Sequence, residues 1–411
     1  MRILLVLGLA LLTACGREPE QTTSAEAAAA TDATPASYEE TLRLALENAK
    51  PGTVIEIPSG VHPFSRSLVL NTPGVTIRGA GIDLTVLSFK DQVAGAEGLL
   101  VNAGDFTIED LAIEDTVGDA LKINGGKNVT IRRVRTEWTN GPDTGNGAYG
   151  IYPVQTENTL IEDSVAIGAS DAGIYVGQSR NVIVRNNRAE YNVAGIEIEN
   201  TVGADVHGNL ATNNTGGVLV FNMPDLPVSG HSTRLYDNDI VGNNTANFGA
   251  PGTAVASVPA GSGVVINSND QVEIFGNRIG DNKTANILVS SLFSAQYSQT
   301  RESAPGFDPY PEGIAIHGNT FTPGGNAPDR PELDKLRQAL GGADGRLPDV
   351  VWDGVIDPDK PADARVLCID NPGATFVNVD AANGYQNPST DLAPHACRIE
   401  PLPAITLGAP G

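Results

Sequence analysis

Short stretches in which apolar and polar residues alternate return at a near-constant interval along most of the chain. GLLVN at Gly98, ALKIN at Ala120, GIYPV at Gly150, GIYVG at Gly173, GIEIE at Gly195 and GVLVF at Gly217 start 22, 30, 23, 22 and 22 residues apart, and GVVIN at Gly263 and NILVS at Asn286 continue the series. Alternation with a period of two marks a strand with one buried face. The interval holds three short strands joined by bends, but not a strand and a full crossover helix. A second register, VTIRG, FTIED, VTIRR, TLIED, VIVRN and ADVHG, aligns Arg78, Glu109, Arg132, Glu162, Arg185 and His207 in one column. Turns stacked about 4.8 Å apart would set its alternating charges side by side, each pair contributing on the order of 0.2–1 kcal/mol. His317 falls in the same register, so both histidines are expected in this ladder rather than at a metal. Two residues further on, Asn187, Asn209, Asn238, Asn277 and Asn319 form a column whose side-chain amides can bond from turn to turn. These registers predict an all-β chain, a parallel β-helix of about ten coils from Val54 to about Phe321.

The ends read differently. Ser37 with Glu40 makes a capping box, and Tyr38, Leu42, Ala45, Leu46 and Ala49 share one face, so a helix from Tyr38 to about Ala49 is expected to cap the first coil. After Phe321 the repeat fades. Pro331 to Leu340 reads as a helix, and DVVWDGVI, ARVLCID and ATFVNVD read as strands that add a last coil or a small C-terminal cap. Ahead of the helix, Arg2 and the apolar run Ile3–Leu12 read as an export leader, too short to span a bilayer. Leu12-Thr13-Ala14-Cys15 resembles the bacterial lipobox. That resemblance implies a lipid on Cys15, membrane contact through this anchor alone, and, since Gly16 is not an aspartate, an outer-membrane lipoprotein facing the periplasm or the surface. Plain secretion is the alternative. The expected organisation is residues 1–14 leader, 15–37 disordered tether poor in anything to bury, 38–321 capping helix and β-helix, and 322–411 C-terminal capping segment.

Composition narrows the function. Forty-six glycines, 27 prolines and only 5% aromatic residues suit many short strands and tight turns. The formal net charge of −23 excludes nucleic acid as a partner, because phosphates require the opposite surplus. A polyanionic sugar would also be repelled unless a basic patch or bound calcium reversed the field, so calcium is the one cofactor left open. Beyond Cys15 only Cys368 and Cys397 remain, and in an oxidising compartment they are expected to form a disulfide; their spacing suggests no metal site.

The coil pattern resembles the right-handed parallel β-helix superfamily of pectate lyases, polygalacturonases, alginate lyases and mannuronan epimerases, over roughly two-thirds of the chain. Within it the chain is most similar to secreted or lipid-anchored proteobacterial β-helix proteins often encoded beside a diheme cytochrome c. The resemblance implies either a polysaccharide substrate or a docking partner such as an exported c-type cytochrome.

Alternation also nominates residues. With Ile174, Val176, Ile196, Ile198, Val218 and Val220 inside, the outer face carries Lys122, Asn124, Tyr152, Tyr175, Glu197, Glu199, Leu219 and Phe221, and both glutamates are expected to face solvent. Insertions at 136–149, 222–233, 245–262 and 291–312 border this face and are expected to wall a groove, with Trp138, Phe221, Phe248, Phe293 and Tyr297 as flat surfaces for sugar rings. Glu197 and Glu199, about 6.6–6.8 Å apart along the strand, could serve hydrolysis or hold calcium. The superfamily resemblance casts Lys122 as charge neutraliser and Tyr152 or Tyr175 as proton carrier, with Asp171 nearby. The epimerase Asp-Pro-His motif is absent, DAGIY at Asp171 being the nearest segment, and no arginine lies on the outward strand face. Against catalysis stands the reading of the glutamates as solvated surface charges and of Leu219 and Phe221 as supports for a covering loop.

Overall fold

Inward-pointing isoleucine, valine and leucine from successive turns stack directly on one another in the computed structural model, which describes residues 37–295, 302–363 and 367–408. Cys15, the expected leader, the expected tether up to residue 36 and Tyr297 lie outside the described residues. Every strand pairing between neighbouring turns is parallel, and the pairings form three ladders around a shared core. In one ladder Leu99, Leu121, Ile151, Ile174, Ile196, Val218, Val264, Ile287, Val350 and Phe376 follow in register. All of these side chains are buried. The alternation therefore fixed direction and register together, since a slip of one residue would turn this whole column outward.

The solenoid has about 12 turns rather than ten. The difference arises beyond Phe321, where an irregular segment and the helix Pro331–Gly341 interrupt the sequence spacing while the ladders themselves continue. Val350–Trp352, Leu367–Asp370 and Phe376–Asn378 each pair in parallel with the turn below. At the other end the helix Tyr38–Glu47 starts where Ser37 Oγ accepts the Glu40 N–H at 3.2 Å. It buries Leu42 and Leu46 against the first turns, and its Glu39 carboxylate accepts from the Ser65 N–H at 3.0 Å. Cys368 and Cys397 are disulfide-bonded. The chain beyond them runs back along the outside of the solenoid, with Leu402 N–H on Glu273 at 3.1 Å and Ile405 N–H on Asp205 at 3.2 Å.

The charged column pairs as its signs require. Arg78 and Arg132 reach Glu109 at 2.6 and 3.2 Å, and Arg185 reaches Glu162 at 2.5 Å. Higher up the column turns aromatic: His207, Tyr236, Phe275 and His317 stack with centroids 4.6, 4.9 and 5.2 Å apart and ring planes within 10°. The amide column is continuous, with Nδ2 of Asn187, Asn209, Asn238 and Asn277 donating to Oδ1 of the asparagine above at 2.9–3.0 Å. A second amide column, Asn192, Asn214, Asn243 and Asn282, runs beside it at 3.0–3.2 Å and had not been singled out from the sequence. Each asparagine of the first column follows a left-handed residue at the bend, including Asn186, Gly208, Asp237 and Gly276. These bends are tight: a Cβ on Gly208 would lie 2.6 Å from Asn186 Oδ1.

The two kinds of ladder differ in worth. Asn209 is 2% exposed and its amide also donates to Val184 O at 2.9 Å, so Asn209→Ala orphans buried groups on both adjoining turns. A loss of about 3 kcal/mol is expected in denaturant unfolding. The half-exposed Arg185→Ala is expected to cost about 0.5 kcal/mol in the same measurement; equal losses would contradict the assignment of the amide columns as the stronger tie.

Candidate functional site

The strand Ala194–Glu199 turns Ile196 and Ile198 into the core and Glu197 and Glu199 outward. Outward here does not mean solvated. Glu197 is 1% exposed and Glu199 9%, which corrects the expectation that both face solvent. The cause is the 245–262 insertion, which folds back over the outer strand face. Its Val255 and Val258 pack on Tyr175, Val193, Ala194, Leu219, Phe221 and Val265 and make a second apolar core outside the coil. Asn247 pins the segment by donating to Val255 O at 2.8 Å and Val258 O at 2.9 Å. Leu219 and Phe221 are the supports of this cover, and Phe221, at 2% exposure, offers no platform to a sugar.

The turn below supplies tyrosines. Tyr175 stands in register with Glu197, and Lys122 with Tyr152. Tyr149, Tyr152 and Tyr175 cluster with ring centroids 4.4–4.9 Å apart. Tyr149 was not nominated from the sequence. The available signal was its column, where Ala172, Ala194 and Gly216 on the turns above leave room for a ring. The Tyr175 hydroxyl donates to Glu199 Oε1 at 2.5 Å. Gly177 permits that pose, because a Cβ there would lie 2.4 Å from the Tyr175 ring. Tyr149 and Asp171 line the same cleft.

Burial dominates the electrostatics. It pushes Asp171 well above the usual carboxylate range, and the charges of Glu199 and Asp119 add to the effect. Glu197 is raised in the same way, first by burial and then by Asp171 and Glu199. Burial, with the neighbouring carboxylates, also lifts Tyr149 and Tyr175 well above their ordinary value and Tyr152 to about 12. The three hydroxyls therefore keep their protons and act as donors. Lys122, cast as a neutraliser, is engaged at the rim: its Nζ lies 3.4 Å from Asp119, 3.9 Å from Glu97 and 4.8 Å above the Tyr152 ring.

Tyr149, Asp171, Glu197 and Glu199 line a cleft of about 170 Å³ together with Met223, Leu226, Thr253, Ala254 and Val255. Glu197 Oε2 is buried there with no hydrogen-bond partner among the described residues. The structure thus brings together Asp171, Tyr175, Glu197 and Glu199 with Tyr149, and sets Tyr152 and Lys122 beside them. Other nominated residues fall elsewhere. Trp138 is a core residue, 4% exposed, with its indole N–H on Thr116 O at 2.8 Å, because the 136–149 insertion tucks its start inward; it is no sugar platform. Phe248 is half-buried against the cover's core, and Phe293, 63% exposed, packs 5.4 Å from Tyr310. Among the described residues the carboxylates spaced to hold a metal are Asp270, Asp308 and Glu312 rather than Glu197 and Glu199, and Lys360 pairs with Asp308 and Glu312.

Known proteins agree with this architecture. The family model described as the right handed beta helix region matches residues 73–240. Among solved structures, the A-module of mannuronan C-5 epimerase AlgE4 from Azotobacter vinelandii is similar with a TM-score of 0.50 at 18% identity, over 77% of this chain and 87% of that one. The AlgE6 A-module from the same organism gives 0.50 at 19%, over 81% and 88%. At such identity the likeness shows the fold alone. A pre-neck appendage protein of Bacillus phage B103 is 27% identical over 243 residues, and the match spans 47% of this chain but only 28% of that protein. Fold and matches thus agree on a right-handed parallel β-helix architecture.

The raised carboxyls have a consequence for stability. Native Glu197 holds its proton at pH values where the unfolded chain has released it, so stability is full below the ordinary carboxyl value and declines as pH rises toward the raised one. Glu197→Gln removes this contribution. It is expected to raise the unfolding temperature at about pH 8 more than at about pH 5. Part of the decline should persist through Asp171, and identical shifts at the two pH values would contradict the assignment.

Proposed function

We propose that this β-helix binds a polysaccharide at the covered face and hydrolyses it, with Glu197 as proton donor to the glycosidic oxygen and Glu199, held by Tyr175, as the partner carboxylate that activates water. The observation that carries the reading is the buried Glu197 carboxyl, lining a cavity beside Asp171 and Glu199 with one oxygen unpartnered among the described residues. Burial that keeps one carboxyl protonated beside a hydrogen-bonded second one is how two identical groups take up acid and base roles. Hydrolysis is favoured over the lyase and epimerase alternatives because those need a cation against the substrate carboxylate, and Lys122 is committed to Asp119 and Glu97. The cavity is smaller than the roughly 300–1,000 Å³ of typical ligand pockets, so the 245–262 cover shifts when a polymer enters. The polysaccharide-active β-helix neighbours support the substrate class without deciding the reaction.

Release of new reducing ends from a panel of polysaccharides tests this. Glu197→Gln is expected to lower kcat by about 10²–10⁴ while leaving KM close to the parent value. Full activity in that variant would end the assignment. Absence of any sugar release together with co-purification of an exported c-type cytochrome would move the function to the noncatalytic docking alternative.

Export and lipid anchoring through Cys15 complete the proposal, placing the solenoid at the outer membrane on the tether of residues 15–37. Cys15→Ala is expected to shift the protein from the membrane fraction to the soluble one, and an unchanged distribution would contradict the anchor.

A further inference from the structure

On a different ladder from Glu197, the strand Asp270–Phe275 begins where the 291–312 insertion returns to the solenoid. Asp270 Oδ1 accepts the Glu312 N–H at 3.0 Å, and the Gln271 N–H donates to Glu312 O at 2.7 Å, so the two acidic residues are fixed side by side. Asp308 comes from the same insertion, held in a turn where its Oδ1 accepts the Tyr310 N–H at 3.0 Å. One carboxylate oxygen from each of Asp270, Asp308 and Glu312 lies within 4.8 Å of the other two. Lys360 offsets part of this charge by pairing with Asp308 Oδ2 and Glu312 Oε2. It leaves the other oxygen of Glu312 bare: the residue is 7% exposed, and its Oε1 is buried without a hydrogen-bond partner among the described residues.

A buried carboxylate oxygen left unmet is costly, and an ammonium, with one oxygen to each N–H, has not reached it. A calcium ion takes about 6–8 oxygens at roughly 2.3–2.6 Å and accepts carboxylates through both oxygens at once. Two oxygens on one such ion can lie up to about 5.2 Å apart, a limit this cluster meets. Magnesium, at about 2.0–2.1 Å, closes the limit to about 4.2 Å and gives up its waters reluctantly. Asp270 and Glu312 also line a cleft of about 430 Å³ with Glu273, Asp363 and Glu400, which gives a cation an acidic approach.

We infer that Asp270, Asp308 and Glu312 form a calcium site, with Glu312 binding through both oxygens and Lys360 as the cation that the ion displaces. A protonated amine cannot be a ligand, so Lys360, whose side chain is 32% exposed, swings toward solvent as calcium enters. The ion then pins the end of the insertion to the turn at Asp270. The inference is independent of the carbohydrate reading.

Calorimetric titration of the chelator-treated full chain with calcium chloride, and separately with magnesium chloride, tests it. One saturable calcium site is expected, with magnesium at least about tenfold weaker. Glu312→Gln is expected to weaken calcium by about tenfold or more, and Lys360→Met, which removes the competitor, to tighten it by about tenfold. No saturable calcium binding by the parent chain would overturn the site, and an affinity unchanged in Glu312→Gln would overturn it by placing the ion elsewhere. Should Glu312→Gln fail to fold, Lys360→Met decides, because an affinity unchanged or weakened in that variant would equally overturn the assignment.

Discussion

The structure depends on one constraint: each turn of chain must lie in register on the turn below. Backbone hydrogen bonds along three ladders impose the spacing, but they would be satisfied equally well after a slip. The inward isoleucine and valine columns and the two buried asparagine columns remove that freedom, since each Asn Oδ1 meets both the backbone N–H and the amide of the turn below. A slipped turn would bury unsatisfied amides as well as expose apolar side chains. Residues some 22 positions apart thus become fixed neighbours, and the Tyr175 hydroxyl meets Glu199 as a direct result.

On this scaffold the insertion at 245–262 changes the chemistry of a whole strand face. By packing Val255 and Val258 over Leu219 and Phe221 it withdraws Glu197 from water while leaving its carboxyl over a cavity. Such a group opposes folding at neutral pH and is tolerated because the long core beneath is stable on its own terms. A stability cost concentrated on outward, cavity-lining carboxyls and hydroxyls, with the columns on either side well satisfied, is the pattern expected where a protein keeps a site for a ligand.

How much of this the sequence disclosed follows from what alternation encodes. It specifies which way a side chain leaves the strand, so the core, the charged column, the first amide column and the grouping of Tyr175 with Glu197 were legible. It says nothing about what another segment lays over that face, so the burial of Glu197 and Glu199 was not, although the support of a covering loop by Leu219 and Phe221 was among the readings it allowed. Insertions escape the repeat altogether, which is why Trp138 reads as a surface aromatic although its indole closes on Thr116. The second asparagine column follows a spacing as regular as the first but lies past the bends, where no strand pattern draws the eye. Tyr149 is visible only against the small residues stacked above it. The turns beyond Phe321 were undercounted because their strands are separated by irregular lengths, although the ladders do not require equal spacing.

The central claim is that stacking and cover together bury the Glu197 carboxyl and leave its Oε2 without a hydrogen-bond partner among the described residues. A crystal structure of the protein at neutral pH tests it most directly. The account predicts Tyr175 bound to Glu199 across adjacent turns, and the Glu197 carboxyl enclosed beneath Val255 with only solvent or ligand within bonding distance of Oε2. Glu197 paired with a lysine or arginine, or standing open on the surface, would contradict it.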